Sequence, residues 1–96
     1  MGGIFDFKDR VAVITGCSTG LGVQMAKALA SQGCNIVAIA RRQNLIDEVA
    51  ADLEKTYGVK ALAVRCDITD TEAVEKAVDE ILEKMGRIDI LVNNAG

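Results

Sequence analysis

Histidine, proline and tryptophan are absent from this 96-residue chain, which has only two phenylalanines and one tyrosine. Without histidine, these residues can form neither a Ser-His-Asp triad nor a cysteine-histidine zinc site. The cysteines, Cys17, Cys34 and Cys66, are odd in number and have no C-x-x-C spacing. We therefore interpret them as small buried apolar side chains and predict no metal site.

The chain also has no large excess of positive or of negative charge. The formal net charge is −3, and lysines and arginines are scattered among the acidic residues, so we expect no nucleic-acid partner. The longest apolar runs have about five residues, far short of the roughly 20 that cross a bilayer, and the N-terminus MGGIFDFKDR lacks the apolar region of a signal peptide. We expect a soluble, cytoplasmic protein with no membrane partner.

Short apolar strands alternate with amphipathic stretches in the first half of the chain. A strand is predicted over 11–15, followed by a helix that ends near Gly33 and has its apolar residues at helical spacing: Leu21, Met25, Ala28 and Leu29. A second strand, 35–40, leads to a helix that Asn44 is predicted to cap and that ends near Gly58. Its apolar stripe comprises Leu45, Ile46, Val49, Ala50 and Leu53.

The same unit repeats in the second half. A third strand is predicted over 59–66, and T-D-T-E (69–72) matches a capping box in which Thr69 and Glu72 satisfy each other's backbone amides. The helix that follows ends at Gly86, and a fourth strand is predicted over 88–92.

This β-α-β-α-β-α-β order predicts an α/β fold, a partial Rossmann-type doubly wound parallel sheet, in one domain over 1–96. With the predicted strand order 3-2-1-4, the chain reverses direction across the sheet between the first and fourth strands. Ligands of such sheets bind outside the carboxyl ends of the strands at this switch point.

The glycine-rich turn T-G-C-S-T-G-L-G (15–22) contains G-x-S-x-G, the pattern of a nucleophile elbow, but these residues include no histidine base. A Walker loop is excluded because Leu21 and Gly22 stand where its glycine and lysine are needed. The turn instead suits a dinucleotide pyrophosphate: Gly16 for the sharp turn, Gly20 for close approach of the phosphates and Gly22 for packing of the helix on the sheet. A tight strand-to-helix turn with no ligand is the alternative.

The end of the second strand, about 20 residues further on, is where a dinucleotide fold meets the adenosine ribose. Arg41 and Arg42 stand there instead of an acidic residue, which favours NADP(H) over NAD(H). The alternative is that both arginines are simply the solvated start of the next helix.

Two motifs together, Thr15-Gly16-x-x-x-Gly20-x-Gly22 and Asn93-Asn94-Ala95-Gly96, resemble those of the classical short-chain dehydrogenase/reductase family. The overall pattern is most similar to gluconate 5-dehydrogenase-like and 3-oxoacyl reductase-like members. The resemblance extends over the whole chain.

The resemblance implies a role for each of several residues. Ser18, Thr19 and Leu21 would line the phosphate and ribose site, and Asp67 with Ile68 would hold the adenine ring. The segment containing Asn93, Ala95 and Gly96 would support the sheet and line the pocket near the cofactor ribose, although Asn93 and Asn94 could equally serve only to satisfy backbone groups. Arg41 occupies a position that NADP-preferring members often fill with a basic residue, whereas Thr19 stands where some of them carry a second arginine.

The serine and the Tyr-x-x-x-Lys pair that the family uses for catalysis do not occur in this chain. Tyr57 is followed by Lys60, one residue too early, and we assign it no catalytic role. The chain therefore resembles the N-terminal, cofactor-binding half of such an enzyme, and we expect the catalytic half in a longer gene product.

We consequently expect an NADP(H)-dependent oxidoreductase, with NAD(H) as the second option, that transfers hydride between the nicotinamide and an alcohol or ketone. By resemblance it would be a homo-oligomer. The alternative is a non-catalytic module that binds a dinucleotide or pairs with a partner through the exposed edge of its fourth strand.

Overall fold

Strands and helices alternate strictly along the part of the chain that the computed structural model describes, residues 7–18 and 20–94. The elements are β1 (Val11–Thr15), α1 (Gly20–Ser31), β2 (Asn35–Ala40), α2 (Gln43–Tyr57), β3 (Ala61–Arg65), α3 (Thr71–Met85) and β4 (Ile90–Asn93). In these residues, no helix combines the length and the apolar character needed to span a bilayer.

The four strands form one parallel sheet in the order β3-β2-β1-β4. β1 lies inside the sheet, and its Val13 is paired with Val37 of β2 on one side and with Leu91 of β4 on the other. This order confirms the predicted Rossmann-type α/β fold and places the reversal of chain direction between β1 and β4.

Helices cover both faces of the central strands, whose successive side chains point to opposite sides. On one face, α1 and α2 pack on the sheet through Ala26, Ala30, Ile46 and Leu53, which meet Ala12, Ile14, Ile36 and Ala38. On the other face, α3 contributes Ala77 and Ile81, which meet Val11, Val13, Val37 and Ile39. Since both faces are buried, β1 and β2 are almost continuously apolar.

The buried side of α1 consists of small residues. Gly22, Ala26 and Ala30 are its buried residues, whereas Leu21 is 61% exposed and Ala28 is also exposed. Small side chains allow the helix to lie close to the sheet, so the larger apolar residues are displaced to its flank. The spacing of Leu21, Met25, Ala28 and Leu29 predicts the helix correctly, but Leu21 and Ala28 do not belong to its buried side.

Both predicted N-caps are also wrong by one or two residues. Arg42 precedes the first helical residue of α2 and makes no side-chain capping bond, while Asn44 lies inside the helix. α3 is capped by Asp70, whose carboxylate accepts the amides of Glu72 and Ala73. An N-cap side chain must come directly before the first helical residue, and neither Asn44 nor Thr69 does.

The outer strands begin or end slightly differently from the predictions. β3 is shorter than 59–66, although single backbone bonds, Ile36 N to Lys60 O at 3.0 Å and Cys66 N to Ala40 O at 3.0 Å, extend the contact at its two ends. β4 starts at Ile90 rather than at 88 because Asp89 is engaged with the start of β1.

All three cysteines are buried, unpaired thiols, as the composition predicts. Burial raises the pKa of Cys17 to about 11, so this thiol is protonated at neutral pH. Its Sγ lies 3.7 Å from the Gly22 carbonyl oxygen, to which the thiol can donate a weak hydrogen bond.

The carboxylate of Asp89 joins β1 to β4 at the end of the sheet where these strands begin. Asp89 Oδ2 accepts the Val11 amide at 2.9 Å, and Oδ1 lies 2.7 Å from Arg87 Nη2 and 3.7 Å from Arg10 Nη1. The Arg87 hydrogen bond, the Val11 amide and the two positive charges hold the pKa of Asp89 below its ordinary value.

Asp89→Asn should therefore destabilise the protein near neutral pH and matter less in acid. Because the folded-state pKa lies below the unfolded value, the carboxylate stabilises the fold above about pH 4, and this contribution disappears as pH falls through the folded-state pKa. Urea unfolding of wild type and variant between about pH 7 and pH 2 measures the difference. Asp79→Asn, on the exposed side of α3, is the matched control for loss of a charge. A difference between wild type and Asp89→Asn that stays constant into acid would contradict this account.

Candidate functional site

A cleft lies at the edge of the sheet where the strands end. Its volume is about 650 Å³, within the roughly 300 to 1,000 Å³ of ligand pockets. Four strand ends contribute to its lining, through Gly16 and Ser18 after β1, Arg41 after β2, Asp67 and Ile68 after β3, and Asn94 after β4. The cleft is therefore at the switch point of the sheet, between the ends of β1 and β4 and alongside the ends of β2 and β3.

The glycine-rich turn connects β1 to α1 beside this cleft. Gly16 and Gly20 have positive φ values of 65° and 58°, a conformation that glycine adopts without strain. The Cys17 amide donates to the Ile39 carbonyl at 3.1 Å, which ties the turn to the end of β2. A Cβ at Gly20 would have no atom of the described residues within 4 Å, so the backbone at this position faces open space.

Gly22 is required for a different reason. A Cβ at this position would lie 2.5 Å from the Gly16 carbonyl oxygen and 2.9 Å from Asn94 Nδ2. The first turn of α1 is thus packed against the turn that precedes it and against the residue after β4. A backbone carbonyl at that distance cannot move aside without distorting the turn.

The Thr15 hydroxyl connects the ends of β1 and β4. Its Oγ1 accepts the Asn94 amide at 3.0 Å, and its single hydrogen has two acceptors within reach, Asn93 Oδ1 at 3.1 Å and the Val92 carbonyl at 3.4 Å. Thr15 is 7% exposed, so these bonds are sheltered from water. This network holds Asn94 at the cleft, beside the glycine turn.

Asp67 carries a negative charge on the other side of the cleft. Its Oδ1 accepts the Thr69 hydroxyl at 2.7 Å and the Thr69 amide at 3.0 Å. These two bonds, and the nearby positive charge of Arg41, lower the pKa of Asp67. The cleft therefore holds a fixed carboxylate beside a guanidinium, an arrangement suited to a ligand with both hydrogen-bond donors and negative charge.

The predicted site residues are not all in this cleft. Gly16, Ser18, Arg41, Asp67 and Ile68 line it. Thr15 and Asn93 line an adjacent apolar groove on the α3 side of the sheet. Gly20 and Leu21 are exposed at the start of α1, Gly22 is buried beneath the turn, and Arg42 is exposed as the N-cap of α2. Thr19, Ala95 and Gly96 lie outside the described residues.

The lining of the cleft also includes residues that were not predicted as site residues: Ile39, Ala40, Cys66, Thr69 and Asn94. Asn94 could have been found, because it belongs to the N-N-A-G motif. Thr69 carried no such signal, since its pattern with Glu72 indicated a capping role, and its contact with Asp67 depends on the local turn after β3.

A parallel sheet of order 3-2-1-4 with a glycine-rich turn at its switch point defines the class of Rossmann-type dinucleotide-binding folds. Residues 10–96 match the family described as short chain dehydrogenase. The chain belongs to this family, whose members named below are oxidoreductases.

Two relatives show how far the similarity extends. Meso-2,3-butanediol dehydrogenase of Serratia marcescens is 42% identical over 90 residues, which are 94% of this chain and 35% of that protein. 2-Dehydro-3-deoxy-D-gluconate 5-dehydrogenase of Formosa agariphila is 40% identical over 94 residues, 97% of this chain and 35% of that protein. The chain thus spans about a third of the length of the curated relatives it matches.

Solved structures agree with the fold. L-sorbose reductase from Gluconobacter frateurii, complexed with NADPH and L-sorbose, superposes with a TM-score of 0.90 at 40% identity over 94% of this chain and 34% of that chain. An NAD+-bound xylitol dehydrogenase gives a TM-score of 0.89 at 33% identity over the same 94% and 34%. At these identities the likeness extends to the family as well as the fold.

Gly22→Ala should destabilise the complete protein by about 3 kcal/mol, because the added methyl group would overlap the Gly16 carbonyl. Gly58→Ala is the matched control: its φ is 70° and no described atom lies within 4 Å, so it reports only the conformational cost of roughly 1 to 2 kcal/mol. Chemical unfolding of both variants measures the two costs. A Gly22→Ala variant as stable as Gly58→Ala would show that the turn can relax.

Thr15→Val should destabilise the protein by about 1 to 3 kcal/mol, since the Asn94 amide and Asn93 Oδ1 lose a buried partner. Thr15→Ser keeps the hydroxyl and removes only a methyl group, at a cost of about 1 kcal/mol. Thermal unfolding of the two variants distinguishes hydroxyl from methyl. Equal losses for the two would mean that the hydroxyl network does not stabilise the strand junction.

Proposed function

We propose that the complete protein is an NADP(H)-dependent oxidoreductase that transfers hydride between the nicotinamide and an alcohol or ketone substrate. In this proposal the present chain, 1–96, is a single domain that forms the N-terminal part of the dinucleotide-binding fold. One observation carries it: the glycine turn, Arg41 and Asp67 line the same cleft at the switch point of the sheet. Membership of the short chain dehydrogenase family supports the same reaction class.

The glycine turn would bind the pyrophosphate. Gly16 and Gly20 have the positive φ values that the sharp turn needs, and the open space at Gly20 leaves backbone accessible to a phosphate. α1 begins directly after the turn, so its first amides, which have no partners within the helix, and its dipole would favour the negative charge. Ser18, Thr19 and Leu21 would line this part of the site, and Gly22 would act by permitting the close packing beneath it.

The ends of β2 and β3 would bind the adenosine half. Asp67 and Ile68 would hold the adenine ring, with the Asp67 carboxylate kept ionised and oriented by Thr69. Arg41 would pair with the 2′-phosphate of NADP, and Arg42, which is exposed one residue further, would add positive charge. An acidic residue, which would bind the ribose 2′-hydroxyl of NAD, is absent at this strand end.

The end of β4 would support the sheet and line the pocket near the cofactor ribose. Asn93 and Asn94 are held by Thr15, and Ala95 and Gly96 follow them in the sequence. When bound, the nicotinamide supplies the hydride donor or acceptor. The residues of this segment would orient the cofactor by holding the β1 and β4 ends together.

The cofactor identity is supported by neighbours that carry either dinucleotide. The L-sorbose reductase structure contains NADPH, whereas the xylitol dehydrogenase structure contains NAD+. We propose NADP(H) for this protein on the basis of Arg41, with NAD(H) as the weaker ligand.

A second candidate function is a non-catalytic module that pairs through β4. Leu91 on this strand is 68% exposed, and Val78, Leu82 and Ile88 nearby are between 38% and 46% exposed. Such apolar exposure favours a covering partner. In the oxidoreductase proposal, the rest of the complete protein and further copies in a homo-oligomer would cover this surface.

A cytoplasmic location is also proposed, because free buried thiols are typical of reducing compartments.

Arg41→Ala should weaken NADP+ binding to the complete protein by about tenfold to a hundredfold and leave NAD+ binding nearly unchanged, because a charge-assisted bond to the 2′-phosphate is lost. Calorimetric titration with each dinucleotide measures the preference. Lys55→Ala, in the last turn of α2, is the control for loss of one positive charge. If the ratio of NADP+ affinity to NAD+ affinity is unchanged in Arg41→Ala, Arg41 is only a solvated surface residue. If the wild type binds neither dinucleotide, the oxidoreductase proposal is rejected in favour of the pairing module.

A further inference from the structure

The side chain of Arg65 makes a bond that the sheet itself does not provide. Arg65 is the last residue of β3 and is paired with Ala40, the last residue of β2. The Cys66 amide donates to the Ala40 carbonyl at 3.0 Å, and Arg65 Nε donates to the Arg41 carbonyl at 3.0 Å. A side-chain N–H thus continues the contact between the strands by one residue beyond the backbone ladder.

These two bonds hold both peptide groups that flank the Cα of Arg41. The Ala40 carbonyl belongs to the peptide before Arg41, and the Arg41 carbonyl belongs to the peptide after it. Anchoring both planes restricts φ and ψ of Arg41, and these angles set the direction of its Cα–Cβ bond. The direction in which the Arg41 guanidinium leaves the backbone therefore depends on Arg65.

The start of α2 offers little alternative support. Its N-cap, Arg42, has extended angles of φ −99° and ψ 101° and makes no side-chain capping bond. The Ile46 amide approaches the Arg42 carbonyl only at 3.4 Å. The segment that carries Arg41 is thus anchored through β3 more than through its own helix.

We propose that Arg65 is a positioning residue for the 2′-phosphate subsite of the cofactor: its Nε fixes the peptide after Arg41 and so aims the Arg41 guanidinium into the cleft. This inference rests on the proposed function, because it assigns a role in NADP recognition. Arg65 acts through Arg41 and not by touching the phosphate itself.

Glutamine and methionine distinguish the hydrogen bond from the charge. In glutamine, Nε2 occupies the same place along the side chain as Nε of arginine, so Arg65→Gln keeps the donor and removes the charge. Arg65→Met removes both at similar length, and Arg65→Lys keeps the charge but displaces the donor. Arg65 is exposed, so none of the three disturbs the core.

The first experiment is titration of the complete protein with NADP+ and with NAD+. We expect Arg65→Met to weaken NADP+ binding by about threefold to tenfold, the range of one net hydrogen bond, with NAD+ changed by less than about twofold. Arg65→Gln should stay close to the wild type, and Arg65→Lys should fall between the two. Lys55→Met is the control for an unrelated lost charge. Equal losses in Arg65→Gln and Arg65→Met, with Arg65→Lys unaffected, would overturn the inference in favour of a direct charge effect.

A double-mutant cycle tests whether Arg65 acts through Arg41. In an Arg41→Ala background, Arg65→Met should no longer change NADP+ affinity, because no guanidinium is left to aim. An undiminished effect in that background would overturn the inference.

A measurement without cofactor separates this inference from the proposed function. Amide exchange at Ile46, whose N–H faces the Arg42 carbonyl, should quicken in Arg65→Met but not in Arg65→Gln. If the wild type prefers NADP+ while neither exchange nor affinity responds to Arg65→Met, the inference fails and the proposed function stands. If exchange responds but the wild type has no preference for NADP+, the proposed cofactor is wrong and the role of Arg65 in its recognition is overturned with it.

Discussion

The parallel pairing of β1 with β4 is the constraint on which the rest of the structure depends. Two strands separated in the chain by three helical crossovers lie side by side, held at one end by the Asp89 carboxylate and at the other by the Thr15 hydroxyl. This junction creates the reversal of strand order and so opens the cleft at the carboxyl ends. It also brings Asn94 against the glycine turn, which is distant in sequence.

The close approach of the α1 backbone to the sheet and to the glycine turn is the second constraint on the structure. α1 meets the sheet through glycine and alanine, so its first turn lies directly against the loop that would receive a phosphate. The ends of β2 and β3 differ from α1, because they carry long charged side chains that extend toward solvent. There Arg65 and Thr69 supply hydrogen bonds to Arg41 and Asp67 where the regular ladder has ended. The cleft is thus bordered by the closely packed glycine turn on one side and by Arg41 and Asp67, each held by a hydrogen bond, on the other.

Much of the fold could be predicted from local pattern. Four apolar runs, three amphipathic stretches and glycines at the ends of α2 and α3 indicate alternating elements, and the observed strand order agrees with that expectation. The errors are local. Asn44 and Thr69 are good capping residue types near helix starts, but Arg42 and Asp70 occupy the capping positions. Residue type alone does not decide which of several adjacent polar residues precedes the first helical turn.

In the candidate site, too, some features follow from the sequence and others only from the tertiary structure. The sequence by itself determined the turn chemistry of Gly16, Gly20 and Gly22, the cationic end of β2 and the apolar character of both central strands, because these follow from residue type and spacing. Only the tertiary structure decided that Asn94 packs on Gly22, that Leu21 points away from the core and that Arg65 anchors Arg41. These contacts join residues far apart in the chain or depend on which side of a helix faces the sheet. They arise only when parallel strands are brought into register, because that register sets which side chains meet.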